Sequence, residues 1–586
     1  MSTWNLDILY TSLDDPKMNE DFQKLEQHIA KNLELAKAPI SKDNLEKQLN
    51  KIMELVTTSR RIGAYLSLNS STDTTNPKIA ALRGRFMSTI TKNTIASTLF
   101  DQKVAACDQI DAWAEESSLI HEHLFYLNEI KQGAAHLLSE KEENILSQMR
   151  QNASNNWSQL QSYLTSTLNV EMGDKNLTLS SVRNLAYDAD QNVRKAAYEA
   201  EIKAYDKIKD AIAFSLNSIK GEARTVADLR GYESVLAMTL ENSRMKKETL
   251  DAMMSAIEKS LPKFHEYLRH KAKLLKHEHG LPWYDLFAPM NTGNDAKSYT
   301  LEEAHDILIE NFRPFSSEIA DLIDTAFKEN WIDFYPRPGK VGGAFCSNLP
   351  FLKQSRVLTN YDGSFSDIVT LAHELGHAYH GHCIEHHSML NTSYTMPVAE
   401  TASTFNETVI MNSAIEHAET NAQKAALIES MLQDVTQVIC DIHSRYEFET
   451  EVVERRKNEF LFADQLNEIM IQAQKNAYGD GLDPDMLHPY MWVCKSHYYS
   501  AGLNFYNFPY AFGCLFAKGL YAIAEKQGAE FMPKYNALLS ATTTASVEDV
   551  AKMADIDLTK EDFWMESLNL IGRYIDQWIE LTHAEL

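Results

Sequence analysis

The sequence predicts a mainly α-helical fold with one small β-sheet, and three observations carry that prediction. Gly (21) and Pro (15) are scarce among the 586 residues, together about half their usual share of roughly 12%, which leaves few places for tight turns and hairpins. Apolar residues recur three and four apart along most of the chain. One region, around residues 331–363, gathers the rare breakers and a strand-like run together.

Taken in order, residues 20 to 330 read as one helix after another. Asp21-Phe22-Gln23-Lys24-Leu25 opens the first helical spacing. Ser139-Glu140-Lys141-Glu142 is a capping box ahead of Ile145, Leu146 and Met149, since the Ser hydroxyl and the Glu carboxylate can each satisfy a free backbone N–H. Val193 to Ala213 reads as another long helix with charge on its outer face. No repeat of fixed period and no low-complexity segment is visible. The texture changes at Trp331: Pro336-Arg337-Pro338-Gly339-Lys340-Val341-Gly342-Gly343 concentrates the breakers, and Ser355 to Asn360 reads as a strand closed by the turn dipeptide Asp362-Gly363. Helical patterning resumes at Phe365 and runs to the C-terminus, broken by an aromatic, turn-like stretch from Tyr498 to Pro509.

Composition removes several function classes. Lys plus Arg is 56 and Asp plus Glu is 82, a net charge of −26. Such a chain repels a phosphate backbone unless a basic block intervenes, and there is none, so nucleic acid is not an expected partner. No stretch approaches about 18 uninterrupted apolar residues, so no membrane span is expected. The six cysteines (107, 346, 383, 440, 494 and 514) form no C-x-x-C pair and no disulfide framework. The start, Met1-Ser2-Thr3-Trp4-Asn5-Leu6-Asp7, lacks the basic residues and apolar run of a signal peptide. A reducing cytoplasm is the expected compartment.

The chemistry lies in His373-Glu374-Leu375-Gly376-His377, which matches H-E-x-x-H. On a helix, residues four apart differ by only about 40° in azimuth, so both imidazoles reach one ion. Two His supply half a tetrahedral zinc shell, and Glu374 beside them can take a proton from an activated water. Gly376 in mid-helix costs about 1 kcal/mol relative to Ala, which makes sense where another element packs closely. The competing reading is a surface helix with two unrelated histidines.

A third ligand is needed. A metzincin would continue with Gly at 380 and His at 383, but those positions hold His380 and Cys383. Glu385, Glu400 and Glu407 are the downstream carboxylates. Glu385 follows too soon for a second rigid element to fold back. Glu400 comes shortly after Pro397, which suits the first position of a new helix. On that helix Glu400, Ser403, Thr404 and Glu407 form a polar stripe opposite Val398, Ala402, Phe405 and Val409. The stripe can face the metal, with Glu400 as ligand and Glu407 orienting the histidines; the same spacing also describes a helix with its stripe in solvent. His380 shares the face of His373 and His377, but three His on one straight helix cannot surround an ion tetrahedrally. His265-Glu266 with His270, and His277-Glu278-His279, place their imidazoles on diverging faces.

Gly339-Lys340-Val341-Gly342-Gly343-Ala344-Phe345-Cys346, Gly363-Ser364-Phe365-Ser366-Asp367, Leu371 to Ala378 and Ala399-Glu400-Thr401-Ala402-Ser403 together resemble oligoendopeptidase F, bacterial zinc metallopeptidases related to thimet oligopeptidase. Trp4-Asn5-Leu6 with Leu9-Tyr10, and His136-Leu137-Leu138-Ser139, extend the resemblance nearly end to end. It implies a two-lobed, zincin-like helical molecule with a small sheet next to the active helix and a deep central channel. The expected division is an N-terminal helical lobe over 1–190 and a catalytic domain over 191–586. The resemblance also implies one zinc ion per chain held by His373, His377 and Glu400, Glu374 as general base, and short unstructured peptides as substrates. The edge formed by Gly342, Gly343, Ala344 and Phe345 resembles the strand that pairs with a substrate backbone, a sequence-tolerant mode of binding; a plain tight turn is the competing reading. His497, Tyr506 and Tyr510 resemble the relatives' oxyanion donors. Their spacing fits the thimet pattern only in part and leaves both tyrosines as candidates, with aromatic core packing as the competing reading.

The expected activity is therefore zinc-dependent endopeptidase cleavage of oligopeptides. The alternatives are a peptidyl-dipeptidase or carboxypeptidase of the same superfamily, which needs a blocked channel and a carboxylate-binding Arg or Lys, and a non-catalytic peptide- or metal-binding helical protein.

Overall fold

The computed structural model describes residues 3–290 and 297–585; Met1 and Ser2, where the signal-peptide reading begins, lie outside them. It is 71% helical with small sheets, as the scarcity of turn formers predicts. The chain opens with α1 (Pro16–Lys37) and α2 (Lys42–Thr72), which pack on each other. Asp15 accepts from the Lys17 N–H and Pro16 fills the first turn, so α1 starts where a cap and a fixed φ coincide. Met18, Phe22, Leu25 and Ile29 of α1 meet Ile62, Tyr65 and Leu66 of α2 in an N-terminal core.

The capping box forms as read: Ser139 and Glu142 satisfy each other's N–H groups. Two local features depart from the sequence reading. A hairpin, β1 (Asn169–Met172) paired antiparallel with β2 (Lys175–Thr178), interrupts the helical run. Gly173 takes φ +59 in its two-residue turn, and Gly-Asp between Val170 and Leu177 is the signal that marks it. The helix expected over Val193–Ala213 is two helices, α3 (Gln191–Tyr205) and α4 (Lys209–Leu229). The break carries neither Gly nor Pro. It is made by tertiary contacts: Asp206 accepts from the Tyr490 hydroxyl and Ile208 turns into a core shared with residues 448–501. That core also takes in Leu168, Val170, Leu179 and Val182, so it runs across residue 190.

The second sheet has the order β3 (Ile332–Asp333), β5 (Gln354–Leu358), β4 (Phe345–Leu349), with β3 parallel and β4 antiparallel to the central β5. Adjacent residues of a strand point to opposite faces. Val357 accordingly packs into the large core of the C-terminal two thirds, while Leu358 and Leu349 pack into the N-terminal core. The sheet is thus the wall between two hydrophobic bodies. Trp4 and Asn5 fasten to it: Asn5 O accepts from Arg356 Nε at 2.8 Å and the Trp4 ring lies 6.2 Å from that of Phe345.

Behind the sheet lie α5 (Phe365–Ile384), α6 (Met396–Ala399) and α7 (Thr401–Glu416), then α8 (Ile442–Arg455) and α9 (Phe508–Gln527). Pro397 occupies the first turn of α6 as expected. The helix breaks at Glu400, which has φ −91° and ψ 8°, so the carboxylate leaves at a joint between two helices instead of from a continuous one.

Candidate metal centre

Ser364 caps α5 by accepting from the Asp367 N–H, and Asp367 Oδ2 accepts from the backbone N–H groups of Asp362, Gly363 and Ser364 at 2.9, 3.1 and 3.1 Å. This turn fixes the helix start, and with it the azimuth of every residue that follows. Leu371, Ala372, Leu375 and Tyr379 are fully buried, so that face docks in the large core, each Leu contributing about 1.5–3 kcal/mol of burial. His373 and His377 lie on the remaining face, ring centroids 5.0 Å apart and nearly perpendicular.

Two clamps lock α5 to its neighbours. Asn406 of α7 donates to Ala372 O at 3.2 Å, and Asn348 of β4 donates to His377 O at 3.1 Å. Sequence reasoning singled out neither asparagine. Their only signal is an amide within apolar surroundings.

The structure brings His373, His377 and Glu400 into one cluster whose donor atoms all lie within 4.8 Å of one another. Glu400 Oε2 is 3.4 Å from His373 Nε2 and 3.3 Å from His377 Nε2. The edge of a tetrahedron with bonds of about 2.0–2.1 Å is about 3.3–3.4 Å, so these separations fit a zinc-sized ion, and the His₂Glu donor set fits its chemistry. Ser403 Oγ donates to the same Glu400 oxygen at 2.6 Å, and Glu407 Oε2 lies 3.3 Å from His373 Nδ1. Glu400, Ser403 and Glu407 of the polar stripe thus point toward the histidines.

The electrostatics favour a cation. Burial opposes charge on His373, but hydrogen bonds to Glu400 and Glu407 outweigh it and carry the imidazole up to about 10. Burial likewise opposes charge on Glu400, yet the two imidazoles and Ser403 hold its carboxyl well below the usual carboxylate range. Glu374 lies buried beside the cluster; burial raises its pKa, with His373 and His377 pulling the other way. Its carboxylate has no hydrogen-bond partner among the described residues.

His497, Tyr506 and Tyr510 form one cluster: Tyr510 Oη is 3.4 Å from His497 Nε2, and the Tyr506 ring is 5.4 Å from that of His497 and 5.7 Å from that of Tyr510. Tyr510 sits one turn before Gly513 on α9, and a Cβ added at Gly513 would lie 3.1 Å from Glu400 Cβ, which directs that face at the metal cluster. The Tyr506 hydroxyl donates to Met396 Sδ at 3.8 Å. Burial, then Arg445 and Lys495, lowers His497, while burial and Tyr506 push Tyr510 up to about 12. Both are neutral donors at pH 7.

Phe345 opens β4, whose outer edge pairs with no strand among the described residues; of the expected edge only Phe345 is strand, because Gly342 and Gly343 form a bend and Ala344 joins it to the strand. Gly343 takes φ +76, and a Cβ at Gly342 or Gly343 would meet open space. His380 turns away, stacked on Tyr394 with Nε2 2.8 Å from Thr542 Oγ1. Glu385 pairs with His382 Nδ1 at 3.3 Å. His265, His270 and His277 find partners at Ala477 O, Thr582 Oγ1 and Asp285 Oδ2, all outside the cluster.

A further pair escaped the sequence reading. Glu449 of α8, 1% exposed, accepts from Lys220 Nζ of α4 at 2.6 Å, from Phe505 N at 2.9 Å and from Asn507 Nδ2 at 2.9 Å. Lys220 Nζ also reaches Asn504 Oδ1 at 3.0 Å. This buried pair grips both sides of Tyr506, with Phe505 held at φ +53.

The sequence model of Peptidase family M3 matches residues 184–570, and that of Oligopeptidase F (the M3 N-terminal model) matches residues 106–169. Oligopeptidase PepF of Bacillus subtilis is 26% identical over 99% of this chain and 87% of its own length. An oligoendopeptidase F homolog of Borreliella burgdorferi is 24% identical over 97% and 96%. In fold, a crystal structure of a putative peptidase from Chlamydophila abortus superposes with a TM-score of 0.87 at 20% identity, covering 99% of this chain and 98% of that one. Oligoendopeptidase-F from Enterococcus faecium gives 0.71 at 21% identity, over 97% and 99%.

Proposed function

The chain belongs to peptidase family M3 and is a metallo-oligopeptidase; from that premise we propose a cytoplasmic zinc endopeptidase that hydrolyses short unstructured peptides, with Glu374 as its general base. The observation that carries this reading is the approach of one Glu400 oxygen to two imidazole nitrogens at 3.4 and 3.3 Å, tetrahedral edge lengths for zinc. His373, His377 and Glu400 hold the ion, and Glu407 fixes the His373 ring through Nδ1. What a bound zinc supplies is Lewis acidity, enough to bring the pKa of a water near 7 and to polarise a carbonyl.

The remaining steps belong to side chains. Glu374 takes a proton from the attacking water on its carboxylate and passes it to the departing amine nitrogen. Burial, which makes its charged form less favourable, makes that carboxylate a better base than one in water. Tyr510 Oη, with Tyr506 and His497 beside it, donates to the oxygen on which charge develops. The free edge at Phe345, with Gly342 to Ala344 leading into it, accepts the substrate backbone as an added strand. Among the described residues no helix is long and apolar enough to cross a membrane.

A panel of internally quenched peptides of increasing length tests this reading. Short peptides should be cut internally, a chelator should abolish cutting, and zinc should restore it. Glu374→Gln should keep its zinc and lose at least about 10²–10⁴-fold in kcat; turnover close to wild type in that variant would refute the mechanism.

A further inference from the structure

A cavity of about 260 Å³ opens where the large core meets the one around residues 168–219 and 448–501. Most charges around it cancel in pairs. Arg183 lies 3.0 Å from Glu201, Arg194 lies 2.7 Å from Asp285, and Arg445 bonds Asp441. Lys495 is the cation left over. Its half-buried ammonium lines the cavity and makes no hydrogen bond or ion pair among the described residues, though Asp441 attracts it through space. Thr436, 4% exposed and also lining the cavity, buries an Oγ1 with no partner among the described residues. Two free donors in a walled space favour an anionic oxygen ligand.

Position and walls narrow the choice. Lys495 stands two residues before His497 and its charge acts on that ring. On the other side Asp434 is within electrostatic reach of both Glu407 and Tyr187, a residue at the rim. The cavity and the candidate metal cluster thus have charged neighbours in common, and Lys495 is joined to His497 by a single intervening residue. The Tyr187 ring, 58% exposed, meets that of Phe287 at 5.1 Å, and Trp283 lines the same space. Such room suits the end of a peptide rather than its middle, with an aromatic wall for one side chain.

We propose that this cavity receives the carboxyl-terminal residue of a peptide substrate, its α-carboxylate accepting from Lys495 Nζ and Thr436 Oγ1 and its side chain packing on Tyr187, Phe287 and Trp283. The inference rests on the peptidase reading and adds to it which end of the substrate is recognised.

Matched peptides that differ only in a free or amidated C-terminus provide the test. The wild-type enzyme should favour the acid in kcat/KM by at least about tenfold, the worth of one hydrogen bond to a charged group. In Lys495→Met the acid-to-amide ratio should fall to within about twofold of one, in Thr436→Val it should fall partway, and in Lys495→Arg it should persist. Equal rates for acid and amide in the wild type, or an unchanged ratio in Lys495→Met and Thr436→Val, overturns the proposal. Calorimetric titration of the Glu374→Gln enzyme with the same acid and amide reads the preference in Kd without turnover. A wild type that cleaves neither peptide refutes the peptidase reading, whereas the Kd ratio in Glu374→Gln still decides the pocket. If Lys495→Met does not fold, the Thr436→Val and Lys495→Arg ratios decide.

Discussion

Gly376 lies so close to Ala402 that a Cβ built on the glycine would stand 2.4 Å from the alanine's carbonyl oxygen, with Ser403 Cα at 2.6 Å. The contact sits between His373 and His377 on one side and Glu400 on the other, so it sets how far α5 stands from the joint that carries Glu400. Gly to Ala in a helix ordinarily stabilises by about 1 kcal/mol. Here backbone must move instead. Gly376→Ala should destabilise by about 1–3 kcal/mol, the usual cost of overpacking, and should weaken zinc binding more than tenfold. Denaturant unfolding and a chelator competition would check both, and a stabilised, zinc-replete variant would contradict the packing argument.

Among the described residues the Glu407 carboxylate has one polar contact, the far nitrogen of His373 at 3.3 Å, and its side chain is 38% exposed. Glu407→Leu should therefore leave folding nearly unchanged while lowering zinc affinity about 10–100-fold, the typical effect of losing such a support. Chelator competition on the purified variant measures the affinity. Thermal unfolding of the metal-free protein supplies the control.

Much of this candidate centre is legible in the sequence. His373 and His377 follow from helical azimuth, and Gly376 announced close packing because a mid-helix glycine needs a reason. Glu400 was reachable through Pro397 and the polar stripe, although nothing local tells a stripe facing metal from one facing water. The joint at Glu400 was not legible, because it exists only where the carboxylate turns toward the two imidazoles. Asn348, Asn406, Lys220 and Glu449 stayed hidden for a related reason. Each is a polar residue on a helix or strand whose partner lies far away in sequence, 229 positions for Lys220 and Glu449, and amphipathic periodicity carries no information about such pairs. The split at Asp206 to Ile208 likewise lacks a breaker residue and arises from Tyr490 across the fold.

The two candidate tyrosines differ in their surroundings. Tyr510 Oη faces His497 Nε2 and feels the charge of Glu400, whereas the Tyr506 hydroxyl rests on Met396 Sδ. Tyr510→Phe should lower kcat about 10²–10³-fold, the scale of one lost oxyanion donor, with KM little changed. Tyr506→Phe should cost about tenfold or less. Steady-state kinetics on one quenched peptide separate them, and the reverse order would reassign the donor.

Lys220 and Glu449 are a fully buried ion pair that also holds Phe505 and Asn507. Removing one partner leaves a charge without compensation, so Lys220→Met should destabilise by about 3–5 kcal/mol. Lys220→Met combined with Glu449→Gln should recover part of that loss, because the orphaned charge is gone. A double-mutant cycle in denaturant gives the coupling. Both variants should also lower kcat, since Tyr506 lies between the Phe505 N–H and the Asn507 side-chain amide that Glu449 holds.

Metal binding should release a proton from this site. Without an ion, Glu400 and Glu407 hold His373 protonated up to about 10, while Glu400 is ionised throughout the neutral range. At pH 7 an ion that binds His373 through Nε2 must therefore displace the proton held there. The sign is fixed: apparent affinity should rise about tenfold per pH unit below about 10, so zinc should bind about tenfold more weakly at pH 6 than at pH 7. The same shift makes His373 stabilise the metal-free fold fully below its unfolded value of about 6.5, a contribution lost as pH rises through about 10. Calorimetric zinc titrations in two buffers of different ionisation enthalpy count the released protons directly. Glu407→Leu should lower the count at pH 8, because one of the two carboxylates that keep the imidazole charged is removed. An affinity that stays flat between pH 6 and 8 would mean that His373 carries no proton for the ion to displace, and that the carboxylates do not act on it as their distances require.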